Sequence, residues 1–159
     1  MSSDNKYLVS SHIQLAWNSG EYDKLKQTLS KNFFYKTTFT DEILNADQYI
    51  GLIALLRDSI PDLSVRVELI MAEGDAVMTK VRFSGRVEKS IYGIPVSDKE
   101  ITFSAMSIWE IERNKIANTD TLIDMTGVSR QVGAEISPQI PLNIRSDDFL
   151  KEKGLKNFN

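Results

Sequence analysis

Apolar residues in this chain recur first at helical spacing and then at strand spacing. Val9, Ile13, Ala16 and Trp17 fall on one helical stripe, and Ser3 or Asp4 ahead of them can cap it. Gly20 suits the left-handed residue just past the helix end. A short second helix is predicted around 22–29. Asn32 to Phe39 is aromatic and β-branched and reads as a strand. Asn45 and Gln48 look like a capping pair for a third helix, with Tyr49, Leu52, Ile53, Leu56 and Ile60 on its buried face. Pro61 forces Ile60 away from helical angles and ends that helix.

Beyond Pro61 the period changes to two. Leu63, Val65, Val67, Leu69 and Met71 alternate with Ser64, Arg66 and Glu68, which predicts a strand with one covered face. Glu73-Gly74-Asp75 is a hairpin signal. Val77, Thr79, Val81 and Phe83 alternate on the next strand. A longer connection, 85–99, carries Gly93 and Pro95. Alternation resumes with Ile101, Phe103, Ala105, Ser107, Trp109 and Ile111, followed by a polar turn, Glu112 to Lys115, and a last strand from Ile116 to about Thr126. Helices first and then four long strands joined by hairpins is an α+β order without βαβ units. It implies three N-terminal helices on a bent antiparallel sheet. The domain is expected to span 1–133. The tail, 134–159, is broken by Pro138 and Pro141 and is expected to dock on the body or on a partner subunit.

The chain's 159 residues suit one domain with a substantial core. Nineteen basic and 22 acidic side chains leave a net charge of −3, which argues against a phosphate-binding footprint and hence against nucleic acid. With no cysteine there is no disulfide framework, thiolate nucleophile or cysteine-held metal. The first residues, MSSDNKYLVSSH, lack a basic region followed by an apolar one, and no apolar run approaches a membrane span. A cytoplasmic protein is the expectation. No GxGxxG, GxxxxGK[ST] or GxSxG pattern occurs. Neither cofactor nor metal is expected.

Candidate chemistry concentrates on the last strand. Asn118, Asp120, Leu122 and Asp124 would share one face at period two. If that face lines the interior, burial raises a carboxyl pKa toward neutrality, and such a carboxyl can take a proton from carbon and return it to a forming alkoxide. Alternatively the face is solvated, or its carboxylates pair with backbone or with Arg66 or Arg82. His12, the only histidine, reads as a surface or half-buried spectator. Tyr35 either donates a hydrogen bond inward or is a core aromatic. Trp17, Trp109, Phe39 and Tyr49 are walls or core.

Three stretches in this order carry a family resemblance. They are Pro61 to Asp75 (PDLSVRVELIMAEGD), the turn Gly93-Ile94-Pro95-Val96-Ser97, and the run from Ile116 through Asp124 to Arg130-Gln131-Val132-Gly133. Together they resemble the SnoaL-like polyketide cyclases, which run "PDL…VE.LIAEGD", "GIPPTG" and "KI.EHW…D..G…RQLG". The resemblance covers roughly 15–133. It implies the cone-shaped fold of nuclear transport factor 2, with a ligand inside the cone, and often sheet-to-sheet pairing of two copies. It also implies that Asp124 is the general acid/base of an intramolecular aldol-type closure. Three departures stand out, one of them Pro95-Val96-Ser97-Asp98 in place of "PPTG". Asn118-Thr119-Asp120 replaces "EHW", and Gly85-Arg86-Val87 stands where the family often reads "GTH", so its histidine is missing.

The resulting candidates are Asp124 and Asp120 for catalysis, and Tyr35, Asn118, Trp17 and Trp109 for binding a small apolar or polycyclic molecule. A homodimer is expected because Ile70, Met78, Met106 and Ile108 put apolar groups opposite the main alternation. Two other functions compete with a cyclase. One is a non-catalytic binding module. The other is an epoxide hydrolase, which needs an Asp-Arg-Asp group, whereas the only Arg-x-Asp here is Arg145-Ser146-Asp147 in the tail.

Overall fold

The computed structural model describes residues 2–133. Helix α1 (Ser2–Ile13) runs without a break into a π-helical stretch, Gln14–Ser19, that ends at Gly20 with φ of +66°. Helix α2 (Tyr22–Gln27), strands β1 (Leu29–Thr37) and β2 (Thr40–Asn45), and helix α3 (Ala46–Ser59) follow. The remainder is β3 (Ser64–Glu73), β4 (Ala76–Gly85), β5 (Ile101–Glu112), β6 (Lys115–Ile123) and helix α4 (Met125–Val132). The six strands form one sheet in the order β2-β1-β6-β5-β4-β3. Every neighbouring pair is antiparallel except β1 with β6, which is parallel.

Local chemistry accounts for the helix ends. Asn45 caps α3 by accepting from the Gln48 N–H, and Gln48 returns a bond to the Asn45 N–H, both at 2.9 Å. Ile60 sits at φ −128°, ψ 79°, the extended geometry that a following proline imposes. Gly85 is required by close approach, since a Cβ there would lie 2.4 Å from Ile60 Cγ2.

The helices cover the inner face of the sheet, and the core lies between. On β4 the buried inner residues are Val77, Thr79, Val81 and Phe83, and on β5 they are Ala105, Ser107, Trp109 and Ile111, as their alternation predicts.

Two strands depart from plain alternation. The β3–β4 register shifts between Val67 and Leu69, so Glu68 is an extra residue. Leu69 and Met71, expected on the covered face, are exposed, and Ile70 takes the inward position and packs against the core. The β5–β6 register shifts likewise, with Glu110 opposite Asn118 and Ile111 opposite Ile116, leaving Ala117 extra. A bulge reverses the parity of everything beyond it. On β6 the inward residues are therefore Ile116, Thr119, Thr121 and Ile123, while Asp120 and Leu122 face out.

The last strand ends at Ile123, not Thr126, because Asp124 begins α4. The edge strand β2 has no counterpart in the sequence reading. The expected docking of the tail lies outside the described residues, as does Arg145-Ser146-Asp147.

Candidate functional site

A narrow cavity of about 40 Å³ sits between the helices and the concave face of the sheet. Helices contribute Ile13, Trp17, Tyr49, Leu52, Leu56 and Ile60 to its wall. Strands and loops contribute Tyr35 and Phe39, Leu63, then Thr79, Val81 and Phe83, then Phe103, Ala105, Ser107 and Trp109, and finally Thr121 and Ile123. No lining residue carries a formal charge. Only Trp17, Phe103 and Ile123 are partly exposed, so the cavity reaches the surface beside them. Three aromatics packed in series mark that opening. The Trp17 ring meets Phe83 edge-on at 5.0 Å, and Phe83 stacks on Phe103 at 4.9 Å.

The π-helical stretch sets this opening. Widening the helical turn leaves the Trp17 carbonyl to accept a bond from Arg57 on α3. The neighbouring Asn18 side chain behaves as a short piece of strand beside β3. Its Oδ1 accepts from the Val65 N–H at 2.8 Å and its Nδ2 donates to the Val65 carbonyl at 3.1 Å. The edge of β3 is thereby occupied, and Trp17 is held over Phe83.

His12 is fully buried, contrary to its reading as a spectator. Its Nδ1 lies 2.6 Å from Thr28 Oγ1 and its Nε2 lies 2.8 Å from the Tyr49 hydroxyl. The Thr28 hydroxyl donates its one proton to the Leu25 carbonyl at 2.6 Å. Thr28 must therefore accept from His12, which places the imidazole proton on Nδ1 and makes Nε2 the acceptor for the Tyr49 O–H. Burial pushes the His12 pKa down to about 3, so the ring is neutral. Burial likewise pushes the Tyr49 phenol well above its usual range, helped by the nearby Tyr35. Tyr35 is also raised, chiefly by burial, although Thr37 and Thr121 within hydrogen-bond reach pull it back. Trp109 packs edge-on against His12 at 5.3 Å and donates from its indole nitrogen to Thr79 Oγ1 at 2.9 Å.

Of the residues singled out from sequence, Tyr35, Trp17 and Trp109 line the cavity. Asn118, Asp120 and Asp124 do not. Asn118 donates to Glu110 on the outer face, and Asp120 is exposed on the same side. The bulge at Ala117 is the reason, since it turns even-numbered residues outward. Asp124 lies just past the strand and is exposed. Its Oδ1 accepts from the Gly127 N–H at 2.9 Å, which makes it the N-cap of α4.

The rest of that motif is also structural. A Cβ at Gly127 would fall 2.4 Å from the Asp124 carboxylate, so glycine permits the cap. Gln131 accepts from the Thr102 N–H at 2.8 Å and donates to the Thr102 carbonyl at 2.6 Å, fastening α4 to β5 beyond the end of β6. Gly133 closes the helix at φ +67°.

Sequence reasoning missed the Thr28–His12–Tyr49 chain and the hydroxyls of Thr79, Ser107 and Thr121. The inward alternation of Thr79 and Ser107 was a usable signal for two of these. Among the described residues no three His, Asp or Glu side chains converge as metal ligands, and no helix is long and apolar enough to cross a membrane.

A single mixed sheet curved around a helix-capped apolar cavity defines the class of nuclear transport factor 2-like folds. The chain belongs to the SnoaL-like polyketide cyclase family, whose profile matches residues 8–132. Solved structures agree on the fold. A protein assigned as a SnoaL-like polyketide cyclase from Jannaschia sp. CCS1 superposes with a TM-score of 0.75 at 20% identity, covering 85% of this chain and 95% of that one. TsrD from Streptomyces laurentii gives 0.73 at 25% identity, covering 84% and 97%. An LEH-like epoxide hydrolase from M. tuberculosis gives 0.64 at 13% identity, covering 82% and 90%. No curated protein sequence matches the chain.

Proposed function

We propose that the cone binds a small, uncharged, mainly apolar molecule. The observation that carries this reading is a lining without a formal charge, closed around aromatic rings and a few hydroxyls. An ionic ligand would be stripped of water there with no counter-charge. Apolar walls with a few placed polar groups are the usual make-up of small-molecule sites. The free space of about 40 Å³ is less than a benzene-sized guest needs. Binding therefore requires the rings at the opening, Trp17, Phe83 and Phe103, to move outward. Titrating toluene or phenol while following Trp17 and Trp109 fluorescence tests the reading. Saturable binding is expected, and Ala105→Leu, which fills the cavity from its floor, should abolish it. Equal response in wild type and the filled variant would overturn the proposal.

Family membership favours a second reading, cofactor-free acid/base chemistry of the cyclase type, with Asp124 as the carboxylate. Asp124 follows Ile123 at the opening, so leaving the Gly127 N–H would bring its carboxyl to the edge of a bound ligand. Asp124→Asn keeps the cap and removes the proton carrier. A fall in turnover of roughly two to four orders of magnitude on a substrate found for this chain would establish the role. Unchanged turnover would leave the binding reading alone.

We also propose that the protein is a homodimer through the outer face of the sheet. Leu69, Met106 and Leu122 occupy one register row around Lys80, and Met71, Met78 and Ile108 occupy the next. Each of these six apolar side chains is more than a third exposed. Light scattering should report a dimer, and a Met106→Lys, Ile108→Lys double variant a monomer. A wild-type monomer at micromolar concentration would overturn the assignment.

A further inference from the structure

Outward side chains on β3, β4 and β5 sort by charge along the strands. At one end stand Arg66 on β3 and Lys80 and Arg82 on β4. They share a single carboxylate, Glu68, at 3.7, 3.8 and 2.6 Å. At the other end stand Glu73 on β3 and Glu110 on β5, in one register row with Ala76 between them. The open groove at that end also takes in Asp75 and Glu112, and among the described residues no cation lines it. Between the ends lie two apolar rows, Met71, Met78 and Ile108, then Leu69 and Met106 flanking Lys80. The remaining outward positions on these strands hold only alanine, serine and threonine.

This sorting gives the face a direction. Two copies of one face can meet about a two-fold only if the axis lies in the plane between them, because one face must be turned over onto the other. An axis along the strands lays carboxylates on carboxylates and cations on cations, which costs free energy at an interface. An axis across the strands reverses the partner's strands and lays each charged end on the opposite one. Outward rows follow one another every second residue, at about 6.6 Å. The rotation that exchanges the two apolar rows therefore also exchanges the next rows out, those of Glu73 and of Arg66.

We infer that the second copy docks on this face about a two-fold axis running across the strands between the two apolar rows, so that Glu73 and Glu110 of each copy meet Arg66 and Arg82 of the other. Met71, Met78 and Ile108 of one copy then cover the row of Leu69 and Met106 of the other. Strands of the two sheets run antiparallel, within the aligned geometry by which two sheets share a core. The apolar rows supply the affinity, and the charged ends fix the orientation.

This inference rests on the homodimer reading above, and sedimentation equilibrium of the full chain separates the two. Between about 0.05 M and about 0.5 M sodium chloride the dimer dissociation constant is expected to rise about tenfold, because salt screens the attraction between opposite ends. An axis along the strands gives the reverse, since salt then relieves repulsion. At low salt Glu73→Lys and Arg66→Glu should each weaken the dimer by about tenfold. An equimolar mixture of the two variants should return to within about threefold of wild type, because both charge contacts of the mixed dimer are again attractive. Both side chains are exposed, and thermal unfolding checks the fold of each variant. If a variant does not fold, the salt dependence of wild type decides. A dimer that salt tightens or leaves unchanged, single variants that dimerise like wild type, or a mixture no tighter than its components overturns the orientation and leaves the homodimer standing. A wild-type monomer overturns both.

Discussion

Strands β4 and β5 pair through ten consecutive positions without a shift, whereas β3 and β6 each carry one extra residue. In the regular pair, every second side chain faces the core from one end to the other. In the bulged pair, parity holds up to Glu68 or Ala117 and then reverses. The two bulges do different things. At Glu68 the reversal puts Leu69 and Met71 outside and draws Glu68 into a cluster with Arg66, Lys80 and Arg82. Those cations hold the Glu68 carboxyl below its usual range, chiefly through the hydrogen bond from Arg82. At Ala117 the reversal brings Thr119 and Thr121 to the core and sends Asp120 to the surface. A single extra residue in β6 therefore puts the Thr121 hydroxyl in the cavity wall and keeps the Asp120 carboxylate out of it.

The largest effect should come from removing that residue. Deleting Ala117 restores plain alternation, which would drive Asp120 and Leu122 inward and Thr121 and Ile123 outward. The expected outcome is loss of a cooperative thermal transition, since the misplaced burial exceeds the roughly 5–15 kcal/mol that holds a domain together. A folded deletion variant with an unchanged melt would break the comparison. Next in size, Trp109→Ala on the regular strand should cost about 3–5 kcal/mol in denaturant unfolding. Leu122→Ala, outward on the bulged strand and 69% exposed, should change stability by less than about 0.5 kcal/mol.

The third test is pH. His12 packs on Trp109 and is held neutral, with its pKa lowered to about 3 by burial. The unfolded chain takes up that proton near pH 6.5, and the folded chain does so only near 3. Its contribution is complete above pH 6.5 and is lost as the pH falls toward 3. Between pH 7 and 5 unfolding free energy should drop by about 2 kcal/mol from this group alone. His12→Gln should flatten that part of the slope, and identical slopes would mean the histidine is not buried neutral. The last test concerns the end of β6. Asp124→Ala should cost about 1 kcal/mol through loss of the α4 cap, while Asp124→Asn should be near neutral because asparagine caps as well. Equal costs for both would argue that the charge, not the cap, is what matters there.

Much of the fold was legible because its signals are local. The Asn45–Gln48 capping box, the Pro61 stop and the Gly74 hairpin act within a few residues, and each stands where the sequence places it. The inner faces of β4 and β5 followed from alternation alone. The strand β2 escaped notice because it is a short edge piece with a single buried residue, Leu44. Helix α4 has only a weak local signal, since it is eight residues long and contains Gly127. The role of His12 has no local signal, since its partners Thr28 and Tyr49 lie 16 and 37 residues away.

By itself the sequence determined most of the helix and strand segments, where most of them stop, and to which family the chain belongs. Those properties depend on neighbours along the chain and on the period of apolar residues. Tertiary structure alone decided which face of β6 looks inward, because a bulge is defined by register with the next strand. It also decided that His12 is a buried link behind Tyr49 and that hydroxyls from separate strands line one cavity. Such arrangements depend on which distant residues are brought together, and no single stretch of chain encodes them.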